Sequence, residues 1–396
     1  MSSEREVVVL SGVRTAIGDY GGALKDMAPS DLAATVVREA VKRAKIDPQQ
    51  VDQMVLGNVI HTEAKDMYIS RVACIKGGLP QDTTALTVNR LCGSGLQAIV
   101  SAAQAIQLGD AKTAVAGGAE SMSRGGYLDT TKRWGARMGD AQVIDMMVGA
   151  LTDPFETVHM GITAENIAEK WKITREQQDE FAVESHRRAI NAIDKGYFKD
   201  QIVPIEMKTR KGTVVFDRDE HPRADATLEG MAKLRAVFKK EGGSVTAGNA
   251  SGINDGAAAV VLMEKSAAQQ AGLKPMARLV SYGLAGVDPK IMGIGPVPAV
   301  KRALDKAGLS VDDMDVIESN EAFAVQALAV SCDLKFDSQK TNPNGGAVGL
   351  GHPIGATGAV LTVKALHELQ RIGGRYALVT MCIGGGQGIA AVYERL

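Results

Sequence analysis

The chain holds four cysteines, Cys74, Cys92, Cys332 and Cys382, and six histidines. The cysteines are scattered singly with no C-x-x-C pair, which argues against a disulfide framework and against structural zinc. No H-E-x-x-H and no paired Cys/His spacing occurs, so no metal is expected. Each thiol is then either a small buried hydrophobe or a nucleophile, and its surroundings separate the two readings. Cys92 lies in Asn-Arg-Leu-Cys-Gly-Ser-Gly over 89–95. A strand pattern precedes it, and Leu96, Ile99, Val100, Ala103 and Ile106 follow at helical spacing. That predicts a thiol at a helix N-terminus, where unpaired N–H groups and the helix dipole favour the thiolate. Flanking glycines permit a sharp turn and leave room for a substrate carbonyl. The competing reading is a buried cysteine beside a tight turn.

A nucleophilic thiol needs a base. His352 is the best placed, with glycine dense on both sides in Asn-Gly-Gly-Ala-Val-Gly-Leu-Gly-His-Pro-Ile-Gly-Ala-Thr-Gly over 344–358. Such a loop brings backbone close to a ligand and presents an imidazole at the next helix start. His61, His159, His186, His221 and His367 lack that setting, and His186 and His367 fall inside helical stretches, where packing explains them. Cys382 ends an apolar strand and precedes Ile-Gly-Gly-Gly-Gln-Gly over 383–388. That loop can aim several backbone N–H groups into one small volume, as an oxyanion hole requires. Taken alone, a strand-end cysteine such as Cys382 is more often core. Asn320, in Asn-Glu-Ala-Phe at the end of another strand, can orient a water or a carbonyl. Neither G-x-x-x-x-G-K-[ST] nor a strand-linked G-x-G-x-x-G with a later acidic residue is present, which excludes the usual nucleotide-phosphate loops.

Strands are predicted over 7–10, 54–59, 85–88 and 113–117, alternating with helices over 30–44, 70–76 and 95–108. The pattern restarts with a strand over 277–281, a helix over 297–307, a strand over 315–318, helices over 322–334 and 354–370, and a strand over 377–383. This alternation implies βαβ units and a buried mixed sheet, an α/β fold. Ser30 is the expected N-cap of the first helix, whose face is Leu32, Val36, Val37, Ala40 and Val41. Two similar layouts suggest an internal duplication, with residues 52–58 resembling 315–320 and residues 114–119 resembling 378–383 by position. Between them, residues 122–249 turn polar and charged and include a helix over 174–194 opened by a capping box of Thr174 and Gln177. The Ala-rich strand over 257–263 returns to the first half. The domains expected are 1–121 with 250–272, an inserted 122–249, and 273–396.

A chain of 396 residues that is 45% hydrophobic can bury more than one core. Lys plus Arg, 45, nearly balances Asp plus Glu, 46, so neither nucleic acid nor an anionic membrane is an expected partner. Residues 1–13 run from a charged lead into a strand pattern without a signal sequence, and no stretch of about 18 apolar residues occurs. The closing Tyr-Glu-Arg-Leu is not a peroxisomal address. A cytoplasmic protein is expected.

Taken together, NxLCGSGLQA at Cys92, GGAESMS from Gly117, AGNASGxNDGA from Ala247, NEAFA from Asn320, GHPIGATGA from Gly351 and CIGGGQG from Cys382 resemble the thiolase family. The likeness spans nearly the whole chain and is greatest to bacterial short-chain biosynthetic β-ketothiolases. It implies two duplicated βαβαβαββ halves in five α-β-α-β-α layers, with the insertion as a loop domain that holds coenzyme A. It implies a homotetramer of paired dimers, with the segment from Ser123 to Asp140 in the tetramer contact. By the family's pattern Cys92 is acylated, and His352 takes its proton and activates the CoA thiol. Cys382 is the acid/base at the substrate carbon. Asn320 holds a water that joins His352 in one oxyanion hole, and the N–H groups of Cys92 and Gly384 form the other. The matching CoA positions are Leu151, His159, Met160, Arg223, Phe238, Ala247, Ser251, Met292, Ala322 and Phe323, with Arg223 suited to the nucleotide end. No permanently bound cofactor is implied, only CoA and its thioesters as substrates.

The implied activity is reversible condensation of acetyl-CoA with a short acyl-CoA, or thiolysis of a short 3-ketoacyl-CoA. A broad-chain degradative 3-ketoacyl-CoA thiolase is the alternative. Decarboxylating ketoacyl synthases and hydroxymethylglutaryl-CoA synthases also acylate a cysteine but lack a second one in a CxGGG setting. A noncatalytic acyl-CoA-binding protein would have no use for Cys92, Asn320, His352 and Cys382 together.

Overall fold

Most apolar runs of the sequence become strands covered on both faces, which is why they read as near-continuous Val, Ala and Leu; the edge strand over 84–88 stays partly exposed and that over 277–286 alternates. A computed structural model of the chain describes residues 5–209 and 212–396; residues 1–4 of the amino-terminal lead lie outside it. In the first half the strands are β1 (Val7–Thr15), β2 (Gln53–Gly57), β3 (Thr84–Val88), β4 (Thr113–Ser121) and β5 (Asn254–Glu264). The helices of that half are α1 (Pro29–Ala44), α2 (Ile69–Lys76) and α3 (Ser94–Leu108). The segment between β4 and β5 contributes α4 (Met160–Trp171) and α5 (Arg175–Asp194). It also forms two small hairpins, Tyr127–Asp129 with Val143–Asp145 and Ile205–Thr209 with Gly212–Phe216. In the second half the strands are β6 (Ala277–Gly286), β7 (Val316–Ser319), β8 (Tyr376–Ile383) and β9 (Gln387–Arg395), with helices α6 (Pro296–Ala307), α7 (Ala324–Leu334) and α8 (Thr357–Ile372).

The strands form one continuous sheet in the order β3-β2-β4-β5-β1-β6-β9-β8-β7. Reading outward from the β1/β6 seam, the two sides run in the same sense. β5 and β9 are antiparallel to their neighbours, while β2 pairs parallel with β4 and β7 pairs parallel with β8. The counterpart of β3 is reduced to a single bridge between Ile317 and Thr341. Residues 52–58 and 315–320 therefore fall on β2 and β7, and residues 114–119 and 378–383 on β4 and β8, equivalent places in the two halves. The sequence duplication is geometric.

α1 and α2 cover the outer face of the first half, and α6 covers that of the second. α3 and α8 pack on each other and touch strands of both halves, which makes them the middle layer of an α-β-α-β-α stack. Close approach here needs glycine. A Cβ on Gly118 of β4 would sit 2.1 Å from the Gly355 carbonyl oxygen, and one on Gly358 of α8 would sit 2.3 Å from the Leu96 nitrogen of α3.

Several boundaries depart from the expectation. α1 starts at Pro29, whose missing N–H and fixed φ suit a first helical position, with Ala28 as N-cap. Ser30 is not the cap; its hydroxyl is buried without a hydrogen-bond partner. α7 begins at Ala324 rather than 322, because Phe323 is extended and bridges Ala250. α8 begins at Thr357 rather than 354, because Pro353 opens a turn closed by the Ala356 N–H. β1 and β4 outrun their predicted lengths, and β9 was not expected behind so glycine-rich a loop. The capping box at Thr174 is present. Among the described residues no helix is long and apolar enough to cross a membrane.

Candidate active site

Cys92 sits on the turn from β3 into α3. The Asn89 Oδ1 accepts from the Leu91 N–H at 2.9 Å. The Ser94 hydroxyl accepts from Arg90 N–H at 2.9 Å and donates to Leu91 O at 2.7 Å. These bonds hold Leu91 at φ 45°, a left-handed conformation that strains a branched residue by about 1–3 kcal/mol. The neighbouring glycines answer to protein rather than to substrate: a Cβ on Gly93 would lie 2.6 Å from Ile383 Cδ1, and one on Gly95 would lie 2.8 Å from Ala359 N. The Cys92 turn is therefore wedged between the β8–β9 hairpin and the start of α8.

His352 is buried on the loop before α8. Its N–H donates to Asn254 Oδ1 at 2.9 Å, and Asn254 Nδ2 donates to Gly18 O at 3.0 Å, which ties the loop to the head of β5. Gly351, at φ 102°, brings the backbone close against the Asn254 amide. The imidazole Nε2 faces Asn320 Nδ2 at 3.4 Å, and Nδ1 faces Thr357 Oγ1 at 2.6 Å. Behind the loop, the buried Glu120 accepts from the N–H groups of Val59, Ile60 and Gly355 at 3.1, 3.0 and 2.9 Å, and from Asn58 Nδ2 at 3.1 Å. One carboxylate thus ties the end of β4 to the residues after β2 and to the His352 loop. The motif reading passed over Asn254, Glu120 and Thr357. Their signal is a polar residue amid apolar or glycine-rich sequence, which burial obliges to find partners.

Gly384 begins the three-residue loop between β8 and β9, with Gly385 and Gly386 at φ 82° and 85°. Cys382 lies just before it, fully buried, and Asn320 follows β7 with its Oδ1 free of any protein hydrogen bond.

These pieces meet at a chamber of about 410 Å³. Cys92, His352 and Gly384 line it, beside the apolar side chains of Leu91, Met122, Met160, Met292 and Ile354. Asn320 and Cys382 stand one layer behind. The positions expected to hold CoA gather on the same wall: Leu151, His159, Met160, Phe238, Ala247, Ser251, Met292, Ala322 and Phe323 all line it. Arg223 does not. It is exposed, with its backbone N–H on His186 Nδ1 at 3.2 Å. His159 caps α4 by accepting from Gly161 N–H at 3.0 Å and stacks on Phe238, with ring centroids 4.5 Å apart. Phe238 in turn meets Phe323 edge-on.

The electrostatics reverse one expectation. Burial pushes the Cys92 thiol up to about 11, although the backbone N–H groups of Gly384 and Cys92 itself pull it down and Glu120 adds a small upward push. Helix-start geometry is present, but desolvation outweighs it. Burial, then the neighbouring Cys92, pushes the Cys382 thiol up as well. Burial lowers His352 to about 4, so its ring is neutral near pH 7. The arrangement holds two protonated thiols and a neutral imidazole against an apolar chamber. It suits a proton transfer that occurs only when a substrate is present to be attacked.

Residues 7–266 match the family described as Thiolase, N-terminal domain, and residues 273–395 match Thiolase, C-terminal domain. The chain is 67% identical to beta-ketothiolase BktB of Cupriavidus necator, over 99% of this chain and 100% of that one. The crystal structure of acetyl-CoA acetyltransferase from Bacillus anthracis superposes with a TM-score of 0.98 at 49% identity, covering 100% of both chains. That of human mitochondrial 3-ketoacyl-CoA thiolase in complex with CoA gives 0.95 at 46% identity, over 99% of this chain and 98% of that one.

Proposed function

The chain belongs to the thiolase family, and from that premise we propose that it is an acyl-CoA:acetyl-CoA C-acyltransferase, a β-ketothiolase acting on short chains. Coenzyme A and its thioesters are its substrates. The observation that carries the site assignment is the meeting of Cys92, His352 and Gly384, from three distant parts of the sequence, on one apolar chamber.

In the cleaving direction, His352 Nε2 takes the Cys92 proton as the sulfur attacks the 3-keto carbon. The carbon–carbon bond breaks, and the enolate of acetyl-CoA takes a proton from the Cys382 thiol. The proton on His352 then restores Cys382. CoA next gives its proton to His352 and attacks acyl-Cys92, and the departing Cys92 sulfur recovers that proton. Every proton returns to its starting group, and the condensing direction is the reverse. The raised thiol of Cys382 suits this acid role, because a group kept protonated at rest has a proton to give. Gly384 N–H, aimed at the Cys92 sulfur, is in position to hold the carbonyl oxygen of the acyl group. Asn320, with its free Oδ1, suits a bridging water beside His352.

CoA is held along the wall from Leu151 to Phe323, with His159, Phe238 and Ser251 on it. The assembly is a homotetramer. Its contact is the hairpin of Tyr127–Asp129 and Val143–Asp145, too small to be stable alone and rich in exposed apolar side chains.

The test is acylation without acceptor. One acetyl group per chain is expected on Cys92 after incubation with acetyl-CoA, located by peptide mapping; label found mainly on Cys74, Cys332 or Cys382 overturns the assignment.

A further inference from the structure

A neutral imidazole has two nitrogens and one proton, and only the ring whose Nε2 is bare can accept a proton from Cys92. Something must decide which nitrogen that is. Among the described residues, nothing charged touches His352 to do so. Two neutral contacts at opposite ends of the ring do, and the one at Nδ1 is the closer.

At one end, Thr357 Oγ1 lies 2.6 Å from Nδ1 and 2.9 Å from the Pro353 carbonyl oxygen. A hydroxyl has one proton, and a carbonyl can only accept. The proton shared with Pro353 leaves a lone pair facing His352, so Nδ1 must carry the hydrogen. At the other end, the Asn320 amide lies 3.4 Å from Nε2 with its nitrogen toward the ring, an orientation that suits a bare Nε2. The two ends agree. Thr357 cannot drift, because it is buried as the first residue of α8 and its own N–H also bonds Pro353.

We propose that Thr357 is a positioning residue that fixes the His352 proton on Nδ1 and so keeps Nε2 bare to take the Cys92 proton. The proposal rests on the reading above, in which His352 is that acceptor. When Nε2 is protonated, Nδ1–H stays on the Thr357 oxygen, so the ring gains a proton without turning.

Neutron diffraction from deuterium-exchanged crystals of the unliganded enzyme reads the tautomer directly. Deuterium on Nδ1 and none on Nε2 is expected; deuterium on Nε2 alone overturns the proposal. In solution, Thr357→Val keeps the shape and loses the hydroxyl. Its kcat for thiolysis should fall about 10- to 100-fold, by analogy with the partners that orient metal-bound imidazoles. KM should stay within about twofold, as expected of a group that acts on the proton and not on binding. Alkylation of Cys92 by iodoacetamide should slow in parallel. Thr357→Ser, which restores the oxygen, should recover most of the loss, whereas a purely structural methyl contact would not be rescued by serine. His352→Ala separates the two readings. If His352→Ala is inactive while Thr357→Val matches wild type, Thr357 has no such role and the assignment of His352 stands. If His352→Ala keeps wild-type kcat, the base assignment fails and the proposal falls with it.

Discussion

Removing Cys92 takes away the atom to which the acyl chain must be joined. Cys92→Ala should therefore abolish thiolysis, condensation and the exchange of labelled CoA into acetyl-CoA. Cys382→Ala leaves that atom in place and removes only the proton source at the substrate carbon. It should keep much of the CoA exchange yet lose thiolysis by about two to four orders of magnitude, the usual worth of a positioned acid or base. Equal loss of exchange in the two variants would show that Cys382 takes part in acylation itself. The pKa directions add a second test. With the Cys92 thiol raised to about 11, its thiolate fraction climbs tenfold per pH unit throughout the range below that value. Alkylation of the free enzyme by iodoacetamide should thus keep rising from about pH 7 to about pH 10. A plateau by about pH 8 would mean that the helix start wins over burial after all. His352, lowered to about 4, is protonated and lost as a base only below that pH, so the acid limb of kcat/KM should lie well under the ordinary imidazole range.

The elements that carry these groups touch through glycine. A Cβ at position 95 would lie 2.8 Å from Ala359 N and 3.1 Å from the carbonyls of Gly355 and Ala356. Gly95→Ala must therefore push α3 off α8, and with it the Cys92 turn away from His352. A stability loss of about 1–3 kcal/mol, the cost of overpacking, is expected in denaturant melts, with activity falling further than stability. Gly149→Ala, where the added methyl meets nothing, is the matched control; if both behave alike, the close approach is not what Gly95 provides. At this scale the sequence was most informative where chemistry forces a residue type. Glycine density around His352 and Cys382 announced the loops, and Cys92 before a helical run announced its turn. Lengths were harder. β1 was visible only over 7–10, because Ser11, Gly12 and Arg14 interrupt its apolar run, although all three are buried in the sheet. β9 was hidden behind Gly384–Gly386, whose left-handed pair Gly385 and Gly386 makes a tight hairpin and not an open loop. Arg223 was carried over by likeness, and its charge has no partner on the chamber wall. The raised Cys92 thiol was out of reach, since local sequence reports the helix start but not the protein stacked around it.

Across the whole molecule, the hairpin near residue 130 leaves Trp134 89% and Met138 96% exposed, with Tyr127, Leu128 and Ile144 beside them. Apolar surface of that kind marks a contact. If this hairpin builds the proposed tetramer, charging it, as in Leu128→Lys with Ile144→Lys, should leave dimers in light scattering while thiolysis per chain persists. A tetramer that survives both charges would place the contact elsewhere. On its likeness to the biosynthetic branch of the family, the chain should cleave four- and five-carbon 3-ketoacyl-CoA faster than ten-carbon substrates, and the reverse order would favour a broad-chain enzyme. One consequence follows from the seam between β1 and β6. The sulfur of Cys92 comes from one side of it, and the imidazole of His352 and the Gly384 N–H from the other. As the chain is made, Cys92 is present long before its counterparts. During that interval the thiol is an ordinary one, without the imidazole and the Gly384 N–H that the second half brings. Competence arrives late and all at once, when the second half docks.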